Sequence, residues 1–345
     1  MSPSPASRRG LRVALLLLGA AVLAAILWKV GWPSVAENLS RVGWWLVVVV
    51  ALNALPQLAF LEGWRQVLTP SFPASILYRL AGPSLAGDTA NYLGAGVAGE
   101  PLRAMLVRER FGPATAFASV TLRKHAQLTA QVAFLVAGVG VAFAAFRLPG
   151  LLVAAGAAGV LAIAAALVLM TWALRRGSFS PIVRRLSGWK ALAARLSRYQ
   201  DGAADVDAEI RAFYDRHPGR FAASAAWALL GWCGGLLETW LILQLLGSDA
   251  GWAKAFAIET LTMTLNTMLI FIPGRLGSAE AVRTGVFVAL GLPAAAGAAY
   301  ALVRRAREIV WILPGTVYLL HRHAGHWLSG GAAEGESLPG AEAPR

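Results

Sequence analysis

Long apolar stretches separated by short polar clusters run through the chain, and none of them alternates with the period of two that a membrane strand requires. Leu11 to Val30 is the first. Roughly 20 residues suffice to span hydrocarbon at about 1.5 Å per residue, so this run is long enough to cross a bilayer. Arg8, Arg9 and Arg12 around its start fit the basic end of a signal peptide or a twin-arginine signal, but the spans that follow favour an uncleaved first helix with its N-terminus in the cytoplasm. Trp44 to Leu61 carries no charge and opens on a Trp pair suited to the membrane interface, which predicts a second span. His125 to Phe146 and Leu148 to Leu174 are separated by little more than Arg147, Pro149 and Gly150, the pattern of a helical hairpin. Phe221 to Leu246 predicts another span, followed by Trp252 to Ile272, which Lys254, Glu259 and Asn266 interrupt. Ile309 to Leu320 is short and contains Pro314 and Gly315, and the chain from Ser329 has the Gly/Ala/Glu/Pro-rich composition of a disordered tail.

These runs divide the chain into a cytoplasmic N-terminus (1–10), a first membrane half (11–174), a basic loop (175–220), a second membrane half (221–322) and a tail (323–345). The loop holds ten Arg or Lys against five Asp or Glu, with a helical pattern around Ile182 to Leu196. The positive-inside tendency places it in the cytoplasm, as an amphipathic helix on the anionic leaflet in preference to a partner-binding domain.

Composition sharpens the class. With 57% apolar and 14% charged residues and a mean hydropathy of +0.58, the chain falls outside the range of soluble globular proteins, and its 13 Trp and 36 Gly suit packed membrane helices with interfacial ends. The expected fold is an all-α polytopic membrane protein, a transmembrane helix bundle. Cys233 is the single cysteine, so no internal disulfide and no cysteine-based metal site can form. The net charge of +13 in such a chain points to anionic lipid headgroups and not to nucleic acid.

One stretch is poorly apolar for a membrane protein and recurs. Asp88-Thr-Ala-Asn91 leads through Gly94, Gly96 and Gly99 to Glu100-Pro-Leu-Arg103; later Asn266 leads through Pro273-Gly274-Arg275 and Gly277 to Glu280-Ala-Val-Arg283. Gly112-Pro113-Ala114 and Arg123-Lys124 follow the first copy, and Gly291-Leu292-Pro293-Ala294 and Arg304-Arg305 follow the second. The shared order and an offset of about 180 residues indicate an internal duplication. Ser84 to Asp88 and Phe271 to Gly274 are the expected break points of two re-entrant or broken helices, whose exposed N–H groups suit an anion in a polar cavity. Glu at i and Arg at i+3 share a helix face, so Glu100/Arg103 and Glu280/Arg283 are each expected to pair within their own helix. If both broken segments are re-entrant the repeats are inverted, the arrangement favoured here. If Trp252 to Ile272 crosses fully, both motifs face the cytoplasm, as the basic Arg304, Arg305 and Arg307 would suggest.

Charges in or near spans are functional candidates because they are costly there. The substrate-binding candidates are Asp88, Asn91, Glu100, Arg103, Arg123, Glu259, Asn266, Arg275, Glu280, Arg283 and Arg304. Glu238, alone in an apolar span, reads as packed against a neighbouring polar group. No catalytic signature, metal set or cofactor motif stands beside them. Gly94-Ala-Gly96-Val-Ala-Gly99 matches the dinucleotide spacing but has no preceding strand, and His321, His323 and His326 lack nearby carboxylate ligands.

The stretches from Asn91 to Arg103, Gly112-Pro113 to Arg123, Pro273 to Glu280 and Arg304-Arg305 to Gly315 together resemble the flippase-like transmembrane region of lysylphosphatidylglycerol synthases. That resemblance covers most of the chain. It implies an all-helical unit moving a lipid, whether phospholipid, hopanoid or lipid-linked glycan, between leaflets of the bacterial cytoplasmic membrane. Synthesis is not carried over, because nothing outside the membrane part is longer than the Arg175 to Arg220 loop. A non-enzymatic lipid transporter for an anionic headgroup is the resulting expectation, compatible with a homo-oligomer. A membrane-embedded headgroup transferase and an accessory subunit of a lipid or envelope pathway are the alternatives.

Overall fold

The computed structural model describes residues 21, 24–93, 98–177, 200–269 and 277–333, and every regular element among them is helical. Residues 24–30 form a helical lead-in whose Leu27 and Val30 pack on the core. Twelve α-helices follow: α1 (Trp32–Val42), α2 (Trp45–Leu52), α3 (Ala54–Gln66), α4 (Leu77–Leu93), α5 (Gly99–Phe111), α6 (Pro113–Ala145), α7 (Gly150–Arg176), α8 (Gln200–Arg216), α9 (Pro218–Leu245), α10 (Trp252–Met268), α11 (Ser278–Ala289) and α12 (Ala294–Ala333). The α2–α3 pair, α6, α7 and α9 are long and apolar enough to cross a membrane. They contain, to within two residues, the clean spans expected from Trp44, His125, Leu148 and Phe221.

Helix boundaries follow local chemistry. Gly112 turns the chain at φ 79, and Pro113 then supplies the first helical position, where a missing N–H is no loss; α6 therefore starts well ahead of His125. Proline opens α9 in the same way at Pro218. Gly177 closes α7 in the left-handed conformation at φ 68.

One expected interruption is not there: Ser84 to Asp88 lies inside α4, which continues through Pro83. The short run Ile309 to Leu320 is the middle of the 40-residue α12, which continues through Pro314. An interior proline removes one helical hydrogen bond, and it persists where neighbouring helices hold the segment. Here α4 and α12 hold each other: a Cβ on Gly315 would lie 2.4 Å from the Leu85 carbonyl oxygen, one on Gly82 would meet the Tyr318 ring, and the Thr89 hydroxyl donates to the Ile312 carbonyl at 3.1 Å. The helix that carries Asp88 ends at Leu93 and the next begins at Gly99, while α10 ends at Met268 and α11 begins at Ser278. The expected break at Phe271 to Gly274 and residue Arg275 lie outside the described residues, as do Gly94, Gly96 and Ile182 to Leu196.

The interior has two apolar cores on one long helix. Near the start of α6, Val120 and Leu122 join Trp64, Leu68, Leu80 and Val107; near its end, Val139 and Ala142 join Ile242, Ile258, Leu261, Phe287 and Tyr300. Small residues bring helices close along the way, Gly138 against Thr260 and Gly159 against Thr264. Of the basic loop, α8 docks by one face: Val206, Ile210 and Phe213 are buried in the first core, while residues such as Arg211 and Arg216 stay exposed.

Candidate functional site

Both Glu-x-x-Arg motifs begin a helix, Glu100 in the first turn of α5 and Glu280 in the first turn of α11. The last turns of α4 connect them. Asp88 and Tyr92 are four residues apart, hence about 6 Å apart on one helix face, and Asp88 pairs with Arg103 while the Tyr92 hydroxyl accepts from Arg305.

Around α5 the cluster is cationic. Arg103 is 1% exposed, gripped by Asp88 and by Glu100 at 2.9 Å, so the intrahelical pair expected for the first copy is present. Two glycines make the seat: a Cβ on Gly87 would lie 2.5 Å from Arg103 Cγ, and one on Gly99 would lie 2.2 Å from the Gly87 carbonyl oxygen. Asn91 has a structural task, its Oδ1 accepting the Gly99 N–H at 2.7 Å to cap α5. From α6, Arg123 reaches to 3.6 Å of Glu100 with its guanidinium over the Trp64 ring at 5.3 Å, and Lys124 lies 3.8 Å from the same carboxylate. The Trp64 indole N–H donates to Ser119 at 3.2 Å, one turn before Arg123, which fixes the ring beneath the cation.

The formal count is two carboxylates, Asp88 and Glu100, against three cations, Arg103, Arg123 and Lys124. Nε and Nη1 of Arg123 have no hydrogen-bond partner although the residue is 3% exposed. Arg103, Arg283 and Arg304 likewise have Nε and Nη1 without a hydrogen-bond partner, so what sets the cluster around α5 apart is its extra cation.

Around α11 and α12 the pairing differs from expectation. Glu280 does not pair with Arg283. Glu280 accepts from Arg305 Nε at 2.6 Å, and Arg283 donates to Glu308 at 2.6 Å, two salt bridges between neighbouring helices. The reason is geometric: α11 packs along α12, and Arg305 and Glu308, themselves three residues apart, present opposite charges across the contact. Deeper in, Arg304 bridges Glu259 at 3.1 Å and Glu238 at 3.5 Å, Arg307 joins Glu238 at 3.2 Å and the Asn53 amide oxygen at 2.5 Å, and Thr239 donates to Glu259 at 2.5 Å. Four arginines meet four carboxylates (Glu238, Glu259, Glu280, Glu308), so this cluster is neutral by itself.

Of the candidates read from sequence, Asp88, Glu100, Arg103 and Arg123 come together in the cationic cluster, and Glu259, Glu280, Arg283 and Arg304 in the neutral one. Asn266 is buried with its Oδ1 unpartnered, apart from both sets of ion pairs. Sequence reasoning missed Tyr92, Lys124, Arg305, Arg307 and Glu308, and it understated Glu238, which ties Arg304 to Arg307. Arg305-x-x-Glu308 has the spacing that singled out Glu-x-x-Arg, in reverse order, and was legible by the same rule. Because Arg304, Arg305 and Arg307 are spent on buried carboxylates, they carry no orientation signal.

A family model described as the lysylphosphatidylglycerol synthase TM region matches residues 11–315. No curated protein and no solved structure matches the chain.

Proposed function

Since the chain belongs to the lysylphosphatidylglycerol synthase transmembrane-region family, a membrane flippase-like domain, we propose that it moves a lipid with an anionic headgroup between leaflets of the bacterial cytoplasmic membrane. One observation carries this: the cation in excess in the cluster where Arg123, its Nε and Nη1 without hydrogen-bond partners, is buried beside Arg103. A lipid phosphate there would take charge-assisted hydrogen bonds from the free Arg123 donors and bring the cluster to neutrality. Glu100 orients both arginines from its position at the start of α5. The neutral Glu280/Arg305 and Arg283/Glu308 pairs join α11 to α12 beside it and act as its wall, with Tyr92 linking wall and cluster. No covalent step is part of this reading, and lipid movement follows mass action or an ion gradient. The N-terminus is assigned to the cytoplasm.

The test is leaflet exchange of fluorescent anionic and zwitterionic phospholipids in vesicles holding the purified protein, comparing wild type with Arg123→Gln and Glu100→Gln. Exchange of the anionic lipid that falls at least tenfold in Arg123→Gln supports the reading. Exchange unaffected by either substitution rejects it.

A further inference from the structure

A second polar site lies away from both clusters. A cleft of about 490 Å³ opens where the Thr69-Pro70-Ser71 segment meets the start of α6, the end of α8 and the start of α9, and it shares no residue with the arginine clusters. Glu209, Arg216 and Arg220 all line it. Glu209 is held by hydroxyls, accepting from Thr69 at 2.5 Å and Thr115 at 3.5 Å. Arg220 is held by the Leu68 carbonyl at 2.5 Å, with the Phe213 ring 5.8 Å beneath its guanidinium. Neither arginine forms an ion pair with Glu209 across the cleft, so both signs of charge stand on its walls without neutralising each other.

Depth follows from helix length. Both α6 and α9 begin at this cleft, with 33 and 28 residues. At about 1.5 Å per residue they are roughly 50 and 42 Å long, against a hydrocarbon core of about 30 Å, so each extends past the hydrocarbon, and the charged Glu209, Arg216 and Arg220 around their first turns suit headgroup level. A volume in the range of about 300–1,000 Å³ is ordinary for a small-ligand site.

A lone anion would meet the Glu209 carboxylate, and a lone cation would meet two guanidiniums. A ligand carrying both charges satisfies the carboxylate and the basic wall, which His217 also lines. We propose that this cleft binds a phosphoethanolamine-type zwitterion presented by a membrane phospholipid, with Arg216 and Arg220 on the phosphate and Glu209 on the ammonium. Phe213 and Pro70 flank the short carbon link. The cleft is independent of the transport reading, since its test is equilibrium binding and requires no exchange.

The experiment is native mass spectrometry of the full chain in detergent, titrated with phosphatidylethanolamine, phosphatidylglycerol or free phosphoethanolamine, for wild type, Glu209→Gln, Arg216→Gln and Arg216→Gln/Arg220→Gln. Arg216 is exposed, so its single variant tests the phosphate contact without a folding risk. The expected result is severalfold tighter binding of phosphatidylethanolamine than of phosphatidylglycerol, reversal of that order in Glu209→Gln, and about tenfold weaker binding of both in the double arginine variant. A wild type without preference, or a Glu209→Gln variant that leaves the preference unchanged, overturns the zwitterion assignment. Free phosphoethanolamine binding as tightly as the lipid overturns the lipid source.

Discussion

Glu280 bonds Arg305, 25 residues away on the next helix, and leaves Arg283, one turn ahead of it, to Glu308. The second Glu-x-x-Arg is therefore an interhelical clamp, whereas in the first Glu100 holds Arg103 within its own helix at 2.9 Å. A double-mutant cycle on thermal or denaturant unfolding separates the two arrangements. Glu280→Gln with Arg305→Gln should show a coupling of roughly 0.5–3 kcal/mol, and Glu280→Gln with Arg283→Gln markedly less. Equal coupling in both cycles would mean that the pairs are not crossed.

Arg123 should report the missing anion. Replacing a buried, underpaired charge by a neutral side chain removes its desolvation penalty, so Arg123→Gln should unfold in lipid-free detergent at a temperature equal to or above wild type. Adding an anionic phospholipid at about 100 times its dissociation constant should stabilise wild type by about 2.7 kcal/mol and the variant by far less. A wild type insensitive to lipid would place the headgroup elsewhere.

Gly87 sits in a tight α4–α5 contact. An added methyl would lie 2.5 Å from Arg103 Cγ and 2.5 Å from its Nε, so Gly87→Ala should push the guanidinium off Asp88. We expect a loss of about 1–3 kcal/mol in stability and a fall in anionic-lipid exchange matching that of Arg103→Gln. Exchange at the wild-type rate would show that the Arg103 seat tolerates movement.

Trp64 is fully buried between the first core and Arg123. Trp64→Ala should cost about 3–5 kcal/mol through the cavity it leaves. Trp64→Phe keeps a ring under Arg123 but drops the Ser119 hydrogen bond, so its loss should be nearer about 1 kcal/mol and its exchange partly retained. Loss of exchange in Trp64→Phe as complete as in Trp64→Ala would assign Trp64 to the hydrogen bond and not to the cation.

Hydropathy alone placed the spans from Trp44, His125, Leu148 and Phe221, because twenty consecutive apolar residues have few stable fates other than a membrane helix. The expected break at Ser84 to Asp88 is a continuous helix. There Gly and Pro serve the close crossing of α4 and α12, which only the partner helix makes favourable. The charged candidates were legible because a charge in an apolar run is costly and therefore retained for a reason. Their partners were not. Spacing along one helix shows which residues can share a face, as with Glu100 and Arg103, but it says nothing about which face another helix presents. Arg304 finds Glu238 and Glu259 from two other helices, and Tyr92 reaches Arg305 across 213 positions. The sequence by itself determined the solvent this chain folds in and the residues too costly to be idle there. Tertiary packing decided how those charges pair and left Arg123 with donors to spare, since pairing depends on distances that only the crossing of helices sets.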